Sequence, residues 1–401
     1  AAAAIEAACA GPRFDAASIG ARGAAGGNPV IPLVRDLGGA VPEAARPWVH
    51  HGATSQDILD TALSLVARRA LAPVLAAAGR AGDAAAGLAG AHRDTVMVGR
   101  TLGQQAAPTT FGLVAAGWLH GLDVSTAALG VARDRLAAQL GGPVGTLAAL
   151  GPTGPDVLAG FATELGLAAP VLPWHTDRQR LLDLAAALGR VAAAAGKIAV
   201  DVVGLAQTEV AELAEGGAGR GGSSAMPHKA NPVRAVLVAS AARRVPALVS
   251  AMFSAGTHEH QRAAGGWHAE WETLPELVGA VGGAVAHTAD LLVGLRVDTA
   301  RMRRNLDASG GFAMTERLAT ALAGVLGRSA AHDVVARCCR DAVGRGVPLR
   351  TALLADAEVA AAMPTERIDH VLDPSGWLGS ADAFVTAALA HHARRGQEGD
   401  R

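Results

Sequence analysis

From Asp57 to Ala78 the apolar residues Ile58, Leu59, Ala62, Leu63, Leu65 and Val66 return at helical spacing, behind Thr54 and Ser55, either of which suits a helix N-cap. From Asp177 to Glu212 the chain runs without proline and is dominated by Ala, Leu, Val and Ile. Read as one helix, that stretch spans about 54 Å at ~1.5 Å per residue. A helix apolar nearly all round must be covered by several neighbours, so it belongs in a bundle core or an oligomer interface. Further helices are expected over Pro108–Leu140, Pro232–Phe253 with a kink at Pro246, and Glu270–Leu295. Strand-like alternation is almost absent. A glycine-rich segment, Glu215–Ser224, joins two long helices and reads either as a mobile lid or as a plain linker. The shift at Arg296–Asp307 with Gly310 and Gly311 marks a smaller C-terminal part. The expected fold is all-α: three helical domains over residues 1–75, 76–297 and 298–401, the middle one a long-helix bundle.

Composition sharpens this picture. Hydrophobic residues make up 50% of the 401 positions but aromatics only 3%, with no tyrosine, so small side chains must pack through close helix approach. Lys and Arg number 35 against 36 Asp and Glu, a net charge of -1, which leaves no global field to recruit nucleic acid or an acidic membrane. Three cysteines, Cys9, Cys338 and Cys339, give neither a disulfide framework nor a CxxC module and fit a reducing compartment. Ala1–Ala4 has no basic flank and meets Glu6, unlike a signal peptide. Gly, Pro, Gln or charge interrupts every candidate membrane span. A soluble cytoplasmic protein is the expectation.

The strongest local signal is GSSAMPHKANP, Gly222–Pro232. Serines beside glycines, then His228, Lys229 and Asn231 just before a helix-opening proline, would offer an anion backbone N–H groups, an ammonium and an amide together. HHGATSQD (His50–Asp57), RTLGQQAAPTTFG (Arg100–Gly112) and GPVGTL (Gly142–Leu147) complete the set. In this order the motifs resemble those of the fumarase/aspartase superfamily, over essentially the whole chain, with an N-terminal domain shorter than usual. EHQRAAGGWHAEW (Glu259–Trp271), PWHTD (Pro173–Asp177) and LDPSGWLG (Leu372–Gly379) resemble its cycloisomerase branch.

That resemblance implies closure of 3-carboxy-cis,cis-muconate to 4-carboxymuconolactone in the protocatechuate branch of aromatic catabolism, without metal or other cofactor. It also implies a homotetramer whose active sites each combine motifs from three chains, acting on a small polycarboxylate, with no nucleic-acid or membrane partner. Amine-expelling relatives commonly carry His after Arg-Thr, where this chain has Leu102. Expelling an amine needs an acid, whereas a carboxylate that adds to carbon does not. Leu102, read as an apolar contact of the pocket, favours an anionic partner, as in cycloisomerisation or in elimination of nitrite from a nitro-dicarboxylate. Less favoured are elimination of an amine and a non-catalytic helical scaffold.

Ser224 is the expected proton donor to the carbon that accumulates charge; failing that, it is a capping serine. Lys229 and loop N–H groups would stabilise its oxyanion and the doubly charged aci-carboxylate. Asn231 joins Lys229 there, and Ser223 orients the loop. Thr54, Ser55, Thr101 and Gln104 would hold the remaining carboxylates, and His50 would hydrogen-bond substrate, with His51 a neighbour facing away. Arg262 is either a carboxylate clamp or half of an interhelical salt bridge. His258, Glu259 and His260 form HEH, not HExxH, and do not predict zinc.

Overall fold

The computed structural model describes residues 1–10, 14–216 and 221–399. Helices α1 (Ala2–Cys9), α2 (Ala16–Gly23) and α3 (Val30–Ala40) precede the 37-residue α4 (Ser55–Ala91). A hairpin of β1 (Val96–Thr101) and β2 (Gln104–Thr110) leads to α5 (Phe111–Asp134), α6 (Gly154–Leu165) and α7 (Gln179–Leu205). Then come β3 (Leu213–Glu215), α8 (Val233–Ala255), α9 (Gly266–Val293), β4 (Leu295–Val297) and α10 (Thr299–Asp307). The remainder is α11 (Thr315–Leu326), α12 (Arg328–Arg345), α13 (Leu349–Ala355), α14 (Ala357–Ala362), α15 (Thr365–Leu372) and α16 (Ala381–Gly399). The fold is all-α in character, as expected, with two small antiparallel strand pairs among the described residues.

Several boundaries differ from expectation for local reasons. The first long helix continues past Ala78 to Ala91, with Pro73 inside it. Its start is fixed by Asp57, whose Oδ2 accepts from the Thr54 N–H at 2.9 Å, the return half of a capping box. Pro108–Thr110 belongs to β2, and α5 starts only at Phe111, where the Thr110 hydroxyl accepts from the Leu113 N–H at 3.1 Å. It ends at Asp134, and the stretch after it pairs through Ala137 with Ala168. The expected helix over Asp177–Glu212 stops at Leu205; its 27 residues span about 40 Å at ~1.5 Å per residue. Ala211 then takes a positive φ of 49° and the chain turns into β3. Of the glycine-rich segment, residues 217–220 lie outside the described residues.

The described residues group into two compact units, each drawn from several stretches of the chain. Unit 1 comprises Ala1–Ala76, Thr126–Ala192 and Arg243–Gly282. Its fully buried leucines include Leu71, Leu129, Leu181, Leu184, Leu188 and Leu277. Unit 2 comprises Ala77–Ser125, Ala193–Ala242 and Gly283–Arg401. One of its cores joins Ala81, Ala85 and Ala89 to Leu119, Ala195, Ile198, Val202 and Val238, the small-residue packing that the composition predicts. A Cβ on Gly196 would lie 2.8 Å from that of Ala242, so glycine there permits α7 and α8 to approach. Residues between Leu318 and Val371 share a second core in the same unit.

Contrary to the sequence reading, three helices among the described residues are long and apolar enough to cross a membrane by length and composition: Ser55–Ala91, Val233–Ala255 and Gly266–Val293. Prolines do not end these helices: Pro73, Pro246 and Pro275 each lie inside one of them.

Candidate active site

In unit 1 the first motif is organised by a buried carboxylate. Asp57 Oδ1 accepts from the Gly141 N–H at 2.9 Å and faces His175 Nε2 at 2.6 Å. Its Oδ2 accepts from Gly142 N–H at 3.0 Å and Thr54 N–H at 2.9 Å. One side chain thus gathers HHGATSQD, the 142–147 turn and PWHTD. Gly142 suits this junction because its φ is +68° and a Cβ there would meet the Gly52 carbonyl oxygen at 2.9 Å. His50 also has positive φ, 59°, and is half-buried. Burial holds its imidazole below the usual range, with the Asp57 charge acting in the opposite direction. His51 turns instead against Trp48, ring edge to ring face at 5.5 Å. Ser55 opens α4.

Among the described residues Arg262 makes no interhelical salt bridge, one of the two roles expected of it. Its Nη1 donates to the Thr54 hydroxyl at 2.9 Å and its Nη2 to the Pro143 carbonyl at 3.0 Å, so neither partner is a carboxylate. Behind this layer, Arg178 forks onto Asp60 at 2.7 and 3.0 Å and onto Glu270 at 2.9 and 2.5 Å, all three buried. Burial acts against both charges, but Asp60 and Glu270 hold the guanidinium protonated and raise its pKa. For Glu270, burial is outweighed by His258 and Arg178, which hold the carboxyl below its usual range. The HEH side chains diverge: His258 Nδ1 lies 3.3 Å from the His175 carbonyl, while Glu259 accepts from the Ala264 N–H at 2.6 Å and His260 is exposed.

In unit 2 the second motif is the β1–β2 hairpin. Thr101 pairs with Gln104 across the tip, where Leu102 and Gly103 both take positive φ, 52° and 78°, as a type I′ turn requires. Thr101, Leu102 and Gln104 are exposed, and Leu102 completely so. The apolar contact expected of Leu102 is therefore not made within this chain, because the turn projects it outward. Arg100 anchors the hairpin by forking onto the buried Glu212 at 2.9 and 2.6 Å, and Asn305 donates to the same carboxylate at 2.7 Å.

The third motif is a loop closed at its base. Asn231 donates from its backbone and its Nδ2 to the Gly221 carbonyl, at 2.8 and 2.9 Å. Gly221 has φ +74°, and a Cβ there would collide with Asn231 O at 2.2 Å. The Ser223 hydroxyl accepts from the Ala225 and Met226 N–H groups at 3.3 and 3.1 Å, which shapes the turn. Ser224, His228 and Lys229 are exposed around it. Glu215 accepts from the Arg234 N–H at 3.1 Å and so caps the start of α8.

Sequence reasoning missed Asp57, Asp60, Arg178, Glu212 and Glu270 as organising residues. For Asp57 a signal was present, an acidic residue three places after Thr54. For the others nothing in the spacing foretells partners 92 to 118 residues away.

A lyase family model matches residues 28–247, and a model of the adenylosuccinate lyase C-terminus matches residues 311–388. The chain belongs to this lyase family, within the fumarase/aspartase superfamily. It is 47% identical over 399 residues to the 3-carboxy-cis,cis-muconate cycloisomerase of Pseudomonas aeruginosa, which spans 98% of this chain and 87% of that protein. It is 44% identical over 405 residues to nitrosuccinate lyase of Streptomyces davaonensis, spanning 97% and 85%. The solved 3-carboxy-cis,cis-muconate lactonizing enzyme from Pseudomonas putida matches with TM-score 0.91 at 42% identity, covering 98% of this chain and 88% of that one.

Proposed function

We propose that this chain is a cycloisomerase that closes 3-carboxy-cis,cis-muconate to 4-carboxymuconolactone, in the protocatechuate branch of aromatic catabolism, in the cytoplasm and without nucleic-acid or membrane partners. The observation that carries this reading is Leu102 at the tip of the second motif, in a chain whose full length resembles cycloisomerases. An apolar side chain where amine lyases carry histidine leaves no acid at that position for an amine leaving group. The nearly equal likeness to nitrosuccinate lyase supports nitrite elimination as a second reading, since nitrite also leaves as a stable anion.

In the proposed reaction a substrate carboxylate oxygen bonds to an alkene carbon while the π electrons move to the adjacent carbon and its own carboxylate. Ser224 supplies the proton that this carbon takes up, and solvent later returns one to the serine. Lys229, Asn231 and loop N–H groups face the charge that develops, where fixed donors contribute most. His50, Thr54, Ser55, Thr101, Gln104 and Ser223 orient the other carboxylates and the loop. The reaction calls for no metal, because these donors polarise the substrate.

Within one chain Ser224, Lys229, Thr101 and Gln104 are exposed, and α8 leaves Val233, Val236, Leu237 and Phe253 exposed. These features support a homotetramer in which copies cover one another and share sites. The division into three sequential domains is part of the same reading. Incubation with 3-carboxymuconate in D₂O should give the lactone carrying one new C–D bond, at a rate unaffected by EDTA. Mixing Ser224→Ala with His50→Ala subunits should restore part of the activity. Absence of lactone would refute the reaction, and absence of restoration would refute shared sites.

A further inference from the structure

We infer that Arg262 is a positioning residue that acts through Thr54, presenting the threonine hydroxyl as a fixed hydrogen-bond donor to a substrate carboxylate. This rests on the proposed function only in taking Thr54 to meet a carboxylate.

The geometry forms a closed circuit. The Thr54 N–H donates to Asp57 Oδ2, the same oxygen accepts from the Gly142 N–H, and the next residue, Pro143, offers its carbonyl to Arg262 Nη2. Arg262 Nη1 then returns to the Thr54 hydroxyl at 2.9 Å. A guanidinium can only donate, so the hydroxyl must accept from it. That occupies a lone pair and leaves the hydroxyl proton for another acceptor. Among the described residues no protein atom accepts it, and a carboxylate oxygen of the substrate suits it.

The cation is bonded to the hydroxyl itself, and among the described residues no carboxylate is hydrogen-bonded to it. Its charge therefore strengthens the hydroxyl as a donor to an anion. The circuit explains why a residue 208 positions from Thr54 is held against it.

A double-mutant cycle separates indirect from direct action. The full-length protein is compared with Thr54→Val, Arg262→Gln and the double variant, recording kcat, KM and thermal midpoint with 3-carboxymuconate. Each single substitution should raise KM by about tenfold, the size of one charge-assisted hydrogen bond, with a much smaller change in kcat. The double variant should be no worse than Thr54→Val alone. If Arg262→Gln raises KM as much without the hydroxyl as with it, Arg262 grips substrate directly and the inference is overturned. It is also overturned if Arg262→Gln lowers the thermal midpoint and leaves KM unchanged. Should that variant not fold, Arg262→Lys takes its place in the cycle. The same four proteins titrated with unreactive tricarballylate give the cycle in binding affinity. If wild type binds that anion but does not turn over muconate, the reaction is wrong while the cycle still decides the role of Arg262.

Discussion

His175 Nε2 lies 2.6 Å from Asp57 Oδ1, with both side chains almost wholly excluded from solvent. The pair joins a stretch just before α7 to the start of α4, and the remaining oxygen capacity of Asp57 binds three backbone N–H groups. A carboxylate that satisfies four donors holds the first motif and the 142–147 turn in one geometry.

Removing it strands those donors. Asp57→Ala is expected to destabilise the protein by on the order of 3 kcal/mol, since each buried donor left unmatched costs about 1 to 3 kcal/mol before relaxation. Calorimetric melting against the exposed-site control Arg345→Ala measures it. Equal midpoints for the two variants would contradict the role given to Asp57.

At the other end of the chain, His392 on α16 lies 3.0 Å from Asp123 on α5 and 3.0 Å from Asp83 on α4, within unit 2. Burial works against its charged form, but the two carboxylates outweigh burial and raise its pKa above the usual histidine value. A group raised on folding contributes stability fully below its unfolded pKa of about 6.5, and loses it as pH climbs through the folded value. Hydrogen exchange over residues 381–395 should therefore quicken as pH rises through that window, after correction for intrinsic rates. His392→Gln should flatten the dependence; an unchanged profile would show that the pair does not anchor the helix.

Ser224→Ala should lower kcat by about 100-fold or more and leave KM within a few-fold, because a proton donor acts chiefly in the transition state. Lys229→Ala should damage both parameters, since its charge meets a carboxylate before and during reaction. Steady-state kinetics on each variant checks this, and small, equal effects would make the loop purely structural.

Leu102 separates folding from function. At a positive φ of 52°, asparagine is better suited than leucine to the first position of the type I′ turn, so Leu102→Asn should fold at least as stably. It should nonetheless lose activity, because the exposed apolar side chain is proposed to complete a site covered by another copy. A fully active Leu102→Asn enzyme would place the specificity signal elsewhere.

Much of this was legible in the sequence because local rules govern it. Helical spacing located α4, α7, α8 and α9, and the signature motifs marked the three segments with candidate chemistry. The hairpin escaped because Leu102-Gly103 is an unusual type I′ pair and Ala106 and Ala107 carry little strand character. The true end of α7 escaped because Gly204 stands inside the helix and no proline or glycine follows Leu205 until Gly216. The Asp60–Arg178–Glu270 network was unreadable because its partners meet only through tertiary packing, and a buried arginine looks like any other in sequence.

The most direct test of the account is a side-by-side measurement of kcat/KM on purified protein with 3-carboxy-cis,cis-muconate, followed by loss of the conjugated diene, and with nitrosuccinate, followed by nitrite release. The account predicts efficient lactone formation from the first and a kcat/KM at least about 100-fold lower for the second, the scale of discrimination that pocket contacts supply. Efficient nitrite release without turnover of the diene would contradict it.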